Sequence, residues 1–178
     1  MKNVLVISST PRMEGNSEII AKEFARGAEE AGHHVDFVTL RDYKLNYCMG
    51  CDACRKLGKC VHQDGMDELH DKLRKADVIM LATPVYFYSM SGQLKVFIDR
   101  LYFMYREISA DIYLAATMWD PNEENMESTM EAIRGCTRDC MRNCTEKGAI
   151  YGAGLGERKE AYDNQAYLTQ AYNYGKNC

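Results

Sequence analysis

Val4-Leu5-Val6-Ile7-Ser8-Ser9-Thr10-Pro11-Arg12-Met13-Glu14-Gly15-Asn16-Ser17 is the stretch on which the architecture turns. Its first four residues are apolar without a break, the pattern of a strand covered on both faces. Small hydroxylic residues follow, then Gly15 for a tight turn and an Asn16-Ser17 cap. The chain next enters an amphipathic run over residues 17–31, where Ile20, Phe24 and Ala28 recur four apart and Gly32 is a stop signal. Working outward, strand-like runs recur at Val35-Asp36-Phe37-Val38, Val78-Ile79-Met80-Leu81-Ala82, Ile112-Tyr113-Leu114-Ala115-Ala116 and Ala149-Ile150-Tyr151. Helical patterns separate them over residues 64–76, 91–103, about 123–143 and about 158–175. Asp64 is read as the N-cap of the first of these, with Met66, Leu69 and Leu73 on one face. Strands alternating with helices predict an α/β fold, a five-stranded parallel sheet between two helix layers with the doubly wound order 2-1-3-4-5. Ligands of such sheets sit beyond the carboxyl ends of the strands, near the switch point between the first and third. No repeat, low-complexity tract or linker divides the chain, so residues 1–178 are expected to form a single domain, with one long connection at 41–63.

Composition narrows the class. With 46% apolar and 27% charged residues the chain carries enough material for a core, which excludes disorder, collagen and coiled coil. The longest apolar runs are too short to cross a bilayer, and Met1-Lys2-Asn3-Val4 lacks a signal-peptide layout; a cytoplasmic protein without a membrane partner is expected. Lys and Arg number 22 against 26 Asp and Glu, a net charge of -4, so there is no electrostatic footprint for nucleic acid. Eight cysteines stand out. In a cytoplasmic chain they point to metal or cluster ligation, redox chemistry or core packing rather than a disulfide framework.

Two strand-end loops carry ligand signals. Residues 8–17 would present free N–H groups and hydroxyls at a positive helix end, suited to a phosphate, with Arg12 adding a charge. An ordinary capped turn fits the same residues. The loop is neither a Walker loop nor Gly-x-Gly-x-x-Gly, and the later Gly152-Ala153-Gly154-Leu155-Gly156 follows the last strand, where it reads as a glycine-rich rim close to the ligand. After the third strand stands Thr83-Pro84-Val85-Tyr86-Phe87-Tyr88-Ser89-Met90-Ser91-Gly92. Three consecutive aromatics cannot all enter a core from a loop; they face a planar ligand, or pack a helix base or an oligomer contact. A phosphate at one switch-point loop and a flat ring at the next together describe a mononucleotide such as FMN.

The long connection holds Cys48, Cys51, Cys54 and Cys60 in a C-x2-C-x2-C-x5-C spacing. Four thiolates this close can wrap one tetrahedral metal or a cubane, and successive x2 gaps are more typical of [4Fe-4S] than of zinc. A zinc site or a metal-free reactive dithiol remains open. Arg55, Lys56 and Lys59 would offset thiolate charge, or are simply a solvated basic loop. Cys136, Cys140 and Cys144 continue a stripe from Met126, Met130 and Ile133 and are read as core, while Cys178 is expected to fray. The four histidines have no catalytic or ligand spacing.

Thr10-Pro11-Arg12 with Gly15-Asn16-Ser17, then Pro84-Val85-Tyr86-Phe87 with Gly92-Gln93-Leu94-Lys95 and Phe97-Ile98-Asp99-Arg100, resembles the NADPH-dependent FMN reductase and iron-sulfur flavoprotein family of flavodoxin-like proteins. The resemblance implies a flavodoxin-like fold in which Thr10, Arg12, Asn16 and Ser17 hold the FMN phosphate, with Ser9 and Gly15 in the same cofactor loop. It implies that Pro84, Val85, Tyr86 and Phe87 line the isoalloxazine and that Thr117, Met118 and Trp119 border it. It further implies a [4Fe-4S] cluster on the four loop cysteines, and a homodimer or homotetramer with the ring near the interface. The expected activity is an oxidoreductase in which FMN carries the chemistry without a catalytic side chain. It would move electrons from NAD(P)H or a ferredoxin-type donor to a small acceptor such as a quinone, flavin, nitroaromatic or oxygen. A non-enzymatic electron-transfer flavoprotein and a metal- or redox-sensing module built on the cysteine loop are the competing readings.

Overall fold

The computed structural model describes residues 1–178. In chain order the strands are β1 (Asn3–Ser8), β2 (His34–Thr39), β3 (Val78–Tyr86), β4 (Ser89–Met90), β5 (Asp111–Thr117) and β6 (Thr145–Gly152). The helices are α1 (Asn16–Glu30), α2 (Ala53–Leu57), α3 (Met66–Lys75), α4 (Gly92–Asp99), α5 (Glu127–Thr137) and α6 (Gln165–Lys176). The sheet runs β2-β1-β3-β5-β6, every one of these neighbours parallel, and β4 folds back antiparallel on the end of β3. Leaving β4 aside, this is the doubly wound order 2-1-3-4-5, the flavodoxin-like architecture.

Strand β1 explains why its sequence is apolar throughout. Leu5 and Ile7 enter the core under α3, α4 and α5, while Val4 and Val6 enter the core under α1 and α6. None of the four is more than 2% exposed, so a polar residue at any of them would be stranded in one layer or the other. α1 and α6 approach with backbones in contact: a Cβ on Gly27 would strike the carbonyl oxygen of Tyr172, and one on Gly175 the carbonyl oxygen of Phe24.

Several boundaries differ from the sequence pattern. The helix expected over 123–143 is a short turn at Glu123–Met126 followed by α5, which ends at Thr137. The chain then loosens, with Met141 N–H bonding the Cys136 carbonyl and the Met141 side chain buried. The expected cysteine stripe is therefore broken: Cys140 is exposed, while Cys136 and Cys144 pack on the core and burial pushes the Cys136 thiol up to about 12. α4 is shorter than expected and gives way to turns after Asp99. α6 starts at Gln165 rather than near 158, because the Asn164 side chain caps it by accepting from Tyr167 N–H at 3.2 Å. Cys178 is not a frayed end; it packs half-buried on the second core. β4 went unread because two residues carry no period.

The Gly27–Gly175 contact makes a pair of glycine substitutions differ in sign. Gly175→Ala should cost about 1–3 kcal/mol, since backbone cannot yield to a methyl group as a side chain can. Gly135→Ala, in α5 with nothing within 4 Å of its added Cβ, should instead gain up to about 1 kcal/mol from helix propensity. Urea denaturation of both variants checks this.

Candidate functional site

The carboxyl ends of β1, β3, β5 and β6 meet at one edge, and buried polar groups tie their loops together. Ser9 donates both its N–H and its hydroxyl to the Ala82 carbonyl at 2.9 Å. Ser91 N–H donates to Thr83 Oγ1 at 3.0 Å, and the Ser91 hydroxyl donates to the Ser9 carbonyl at 3.1 Å and lies 3.0 Å from Ser9 Oγ. Ser91 also caps α4 by accepting from Leu94 N–H at 3.3 Å. Ser9, expected in the cofactor site, is thus fully buried and spent on stitching the first loop to the second.

The first loop is wound tightly. Arg12 N–H donates to Thr10 Oγ1 at 3.2 Å and Gly15 N–H to the Arg12 carbonyl at 3.1 Å. A Cβ at Gly15 would stand 2.6 Å from Thr10 Oγ1, so the winding requires glycine. The first bond of α1 runs from Ile19 N–H to the Gly15 carbonyl, which leaves the Asn16 and Ser17 N–H groups uncommitted at the positive helix end. Ser17 Oγ is buried without a partner. Glu18, in the same turn, does not cancel this field. Burial alone would raise its pKa, but hydrogen bonds from Arg41 at 2.6 Å and contact with Lys22 at 2.9 Å hold it below the usual carboxylate range and neutralise its charge.

Asn16 departs from its expected role. Its Nδ2 donates to the carbonyls of Leu155 at 3.2 Å and Glu157 at 2.8 Å, and its Oδ1 accepts from Ala161 N–H at 3.1 Å. The side chain fastens the glycine-rich rim to the first loop, and only the Asn16 backbone N–H is free for a ligand.

These loops enclose a cavity of about 230 Å³. Thr10, Arg12, Gly15, Asn16 and Ser17 line its α1 end; Pro84, Val85 and Tyr86 line it from β3; and Thr117, Met118 and Trp119 line it from β5. Leu155, Gly156 and Arg158 complete the wall. The glycine run had signalled this rim, and Gly156 lets its backbone lie on the Trp119 ring, which a Cβ there would strike. Nothing in the sequence singled out Arg158. Phe87 does not line the cavity. With Tyr88 it forms the two-residue turn between β3 and β4, at φ 50° and 58°, the left-handed pair of a type I′ hairpin, and the ring stands entirely in solvent.

In the connection, Gly50, Asp52 and Gly58 take φ values of 64°, 56° and 65°, which bend residues 48–60 around the short α2. All four cysteines are free thiols, Cys48 and Cys51 exposed, Cys54 and Cys60 half-buried. Burial, and then the neighbouring Cys60, Cys51 and Cys48, raise the Cys54 pKa. They do not close on one point: no three metal-binding side chains converge anywhere in the chain. The donor set has the chemistry of a cluster site, in a loop whose turns would have to draw the sulfurs together. Asp64 and Arg100 lie beneath it, their side chains 5% and 1% exposed. Burial would raise the Asp64 pKa, but the Arg100 guanidinium and the N–H groups of Asn46 and Met66 hold it far below the usual range.

Residues 2–118 match the family model of the NADPH-dependent FMN reductases. Over 97 residues the chain is 42% identical to an iron-sulfur flavoprotein of Methanocaldococcus jannaschii, a match covering 54% of this chain and 50% of that protein. Over 101 residues it is 39% identical to an iron-sulfur flavoprotein of Archaeoglobus fulgidus, covering 57% and 46%. The chain spans about half the length of the curated relatives it matches. The NAD(P)H:quinone oxidoreductase from Methanothermobacter marburgensis superposes with a TM-score of 0.74 at 18% identity, covering 99% of this chain and 96% of the other. An azoreductase from Bacillus anthracis gives 0.70 at 15% identity, each chain covered in full. At these identities the structural likeness concerns the fold.

Three hydrogen bonds through Asn16 make a sharp prediction. Asn16→Ala should lose about 2–4 kcal/mol of stability and loosen residues 155–161, because buried backbone groups lose their partner. Hydrogen exchange of peptides covering that segment, compared with peptides from β1, checks the localisation.

Proposed function

The chain belongs to the NADPH-dependent FMN reductase family, and from this premise we propose that it is an FMN-dependent oxidoreductase that takes electrons from NAD(P)H or a ferredoxin-type carrier. The observation that carries the reading is the cavity at the switch point. One end offers the uncommitted N–H groups of Asn16 and Ser17, the partnerless Ser17 hydroxyl and the Arg12 guanidinium, which has no ion-pair partner. That set is a phosphate site in want of an acceptor. The other end offers Pro84, Val85, Tyr86, Met118 and Trp119, apolar walls for a flat ring. Gly15 fits the same reading, since a side chain there would fill the cradle.

Bound FMN supplies the exchange of electrons, singly or in pairs, between donor and acceptor. The chain's own part is to bind and orient. Thr10, Arg12 and Ser17 fix the phosphate, the β3 and β5 loops fix the ring plane, and Trp119, 79% exposed, stands at a mouth open to a planar acceptor. Quinones, flavins and nitroaromatics have that shape. Among the lining side chains Tyr86 carries a phenol, while no carboxylate, imidazole or thiol lines the cavity.

The proposal extends to the cysteine loop. Cys48, Cys51, Cys54 and Cys60 would hold a [4Fe-4S] cluster, which supplies single-electron transfer. The names of the archaeal relatives support this, as does the C-x2-C-x2-C-x5-C spacing of the four cysteines within one loop. Exposed Trp119 in the cavity lining and the exposed Phe87 and Tyr88 that follow Tyr86 support a homodimer or homotetramer, expected as a mass of two or four chains in light scattering.

Anaerobically purified protein should carry one FMN per chain and, on the cluster reading, iron and sulfide in equal amounts near about four per chain. Arg12→Ala should weaken FMN by about 1.5–3 kcal/mol in calorimetry. Protein that takes FAD but not FMN would falsify the flavin assignment. Stoichiometric zinc without iron would remove the cluster and leave the flavin site standing.

A further inference from the structure

A buried ion pair lies where the proposed function does not call for one. Arg100 Nη1 donates to the Asn46 carbonyl at 2.6 Å and to Asp64 Oδ2 at 2.9 Å, and Nη2 donates to Asp64 Oδ1 at 3.1 Å. Asp64 in turn accepts from Asn46 N–H at 3.0 Å, Asn46 Nδ2 at 3.2 Å and Met66 N–H at 3.1 Å. One fork therefore grips residues 46 and 64, which stand immediately outside the four cysteines at either end. Arg100 is itself held, its carbonyl 3.2 Å from His70 Nε2 of α3. Its Nε is buried without a partner.

Two physical facts make this more than packing. Replacing a buried ion pair by apolar residues is often neutral or stabilising, so such a pair is poor evidence of a stability device and better evidence of a specified arrangement. Residues 44–52 contain no helix or strand, so no ladder of backbone bonds fixes the first cysteines. The clamp supplies the constraint that secondary structure does not.

The same helix carries both attachments. Ser91, at the N-terminus of α4, is bonded to Ser9 in the flavin loop, and Arg100, at its C-terminus, is bonded to both ends of the cysteine loop. The nine residue steps from Ser91 to Arg100 rise about 13 Å. We propose that Arg100 is the positioning residue of the cysteine loop, closing its two ends on the end of α4, so that α4 is the strut that sets the sulfur site relative to the flavin cavity. A lysine cannot substitute, because a single ammonium lacks the planar fork that spans a carboxylate and a carbonyl together. The inference rests on the proposed redox role only in saying what the strut is for; the clamp itself is judged apart from any cluster.

Arg55, Lys56 and Lys59 are exposed within the loop, which makes trypsin a direct probe of its anchoring. In the anaerobic full-length protein, Arg100→Gln should retain FMN and its far-UV circular dichroism while cleavage after these residues accelerates roughly tenfold or more. If the wild type carries iron, the variant should also lose most of it, with the corresponding visible absorption. A merely structural role for Arg100 would move flavin content and dichroism together with the loop. Folded Arg100→Gln cleaved at the wild-type rate overturns the proposal. Should that variant fail to fold, Arg100→Lys is the second test, expected to bind FMN yet expose the loop; wild-type protection in it overturns the proposal equally. Wild-type protein without iron would sink the cluster reading, while the trypsin result would still decide the role of Arg100.

Discussion

The hydroxyl of Ser91 holds together what a parallel sheet leaves apart. Each strand of such a sheet ends in a loop that departs to a helix, so the ladder that aligns the strands gives no purchase on the loops that carry a ligand. Here the Ser9–Ser91 contacts join the β1 and β3 loops inside the protein, and Asn16 joins the β1 loop to the segment after β6. Both are small polar side chains with their bonding capacity used on backbone, the condition under which a buried polar group fixes a geometry rather than costing stability. The cavity between them is a consequence: its floor is the sheet edge and its walls are loops that cannot drift independently.

Charge at that edge follows the same economy of parts. The chain is acidic overall, yet the cavity has Arg12 and Arg158 in its lining and a helix N-terminus at one end. The acidic residues around that end have partners of their own: Glu14 pairs with Lys159, and Glu18 is committed to Arg41 and Lys22. Arg41 also donates to the Arg12 carbonyl at 3.4 Å, so the residue that neutralises Glu18 braces the loop whose N–H groups it leaves unopposed. Net charge therefore says little about the field at a site, which is set by which charges have partners and which do not.

How much of this was legible depended on whether a signal was local. The unbroken apolar run of Val4 to Ile7 announced a strand buried on both faces, and the alternation of such runs with helical periods gave the sheet order. The loop after β1 could be read as one wall of a site because glycine, hydroxyl and cap residues sit adjacent in sequence, and Thr10, Gly15 and Ser17 do line one end of the cavity. What could not be read was what each polar side chain would be spent on. Ser9 and Asn16 look like ligands beside Thr10 and Ser17, and only contacts to residues some seventy-three and more than a hundred positions away convert them into fasteners. Arg158 was invisible for the same reason, and the joint between Gly27 and Gly175 depends on two helices at opposite ends of the chain. Cys140 failed in another way: its period was helical, but the helix had ended at Thr137.

Phe87 shows how a local rule can be overridden and why. Aromatic residues avoid the left-handed region, which costs about 1–2 kcal/mol for a residue with a Cβ, and here two in succession occupy it. The pairing of Val85 with Met90 and of Tyr86 with Ser89 leaves only Phe87 and Tyr88 for the turn, and a two-residue turn whose twist matches the strands needs positive φ at both positions. The Ser128 hydroxyl, donating to the Tyr88 carbonyl at 2.8 Å, holds the tip against the start of α5. A looser turn would relieve the strain but would unpair Tyr86, whose place in the cavity wall depends on β3 continuing to that residue. The strained hairpin thus fixes where the wall ends, and it does so by placing the next aromatic ring outside it.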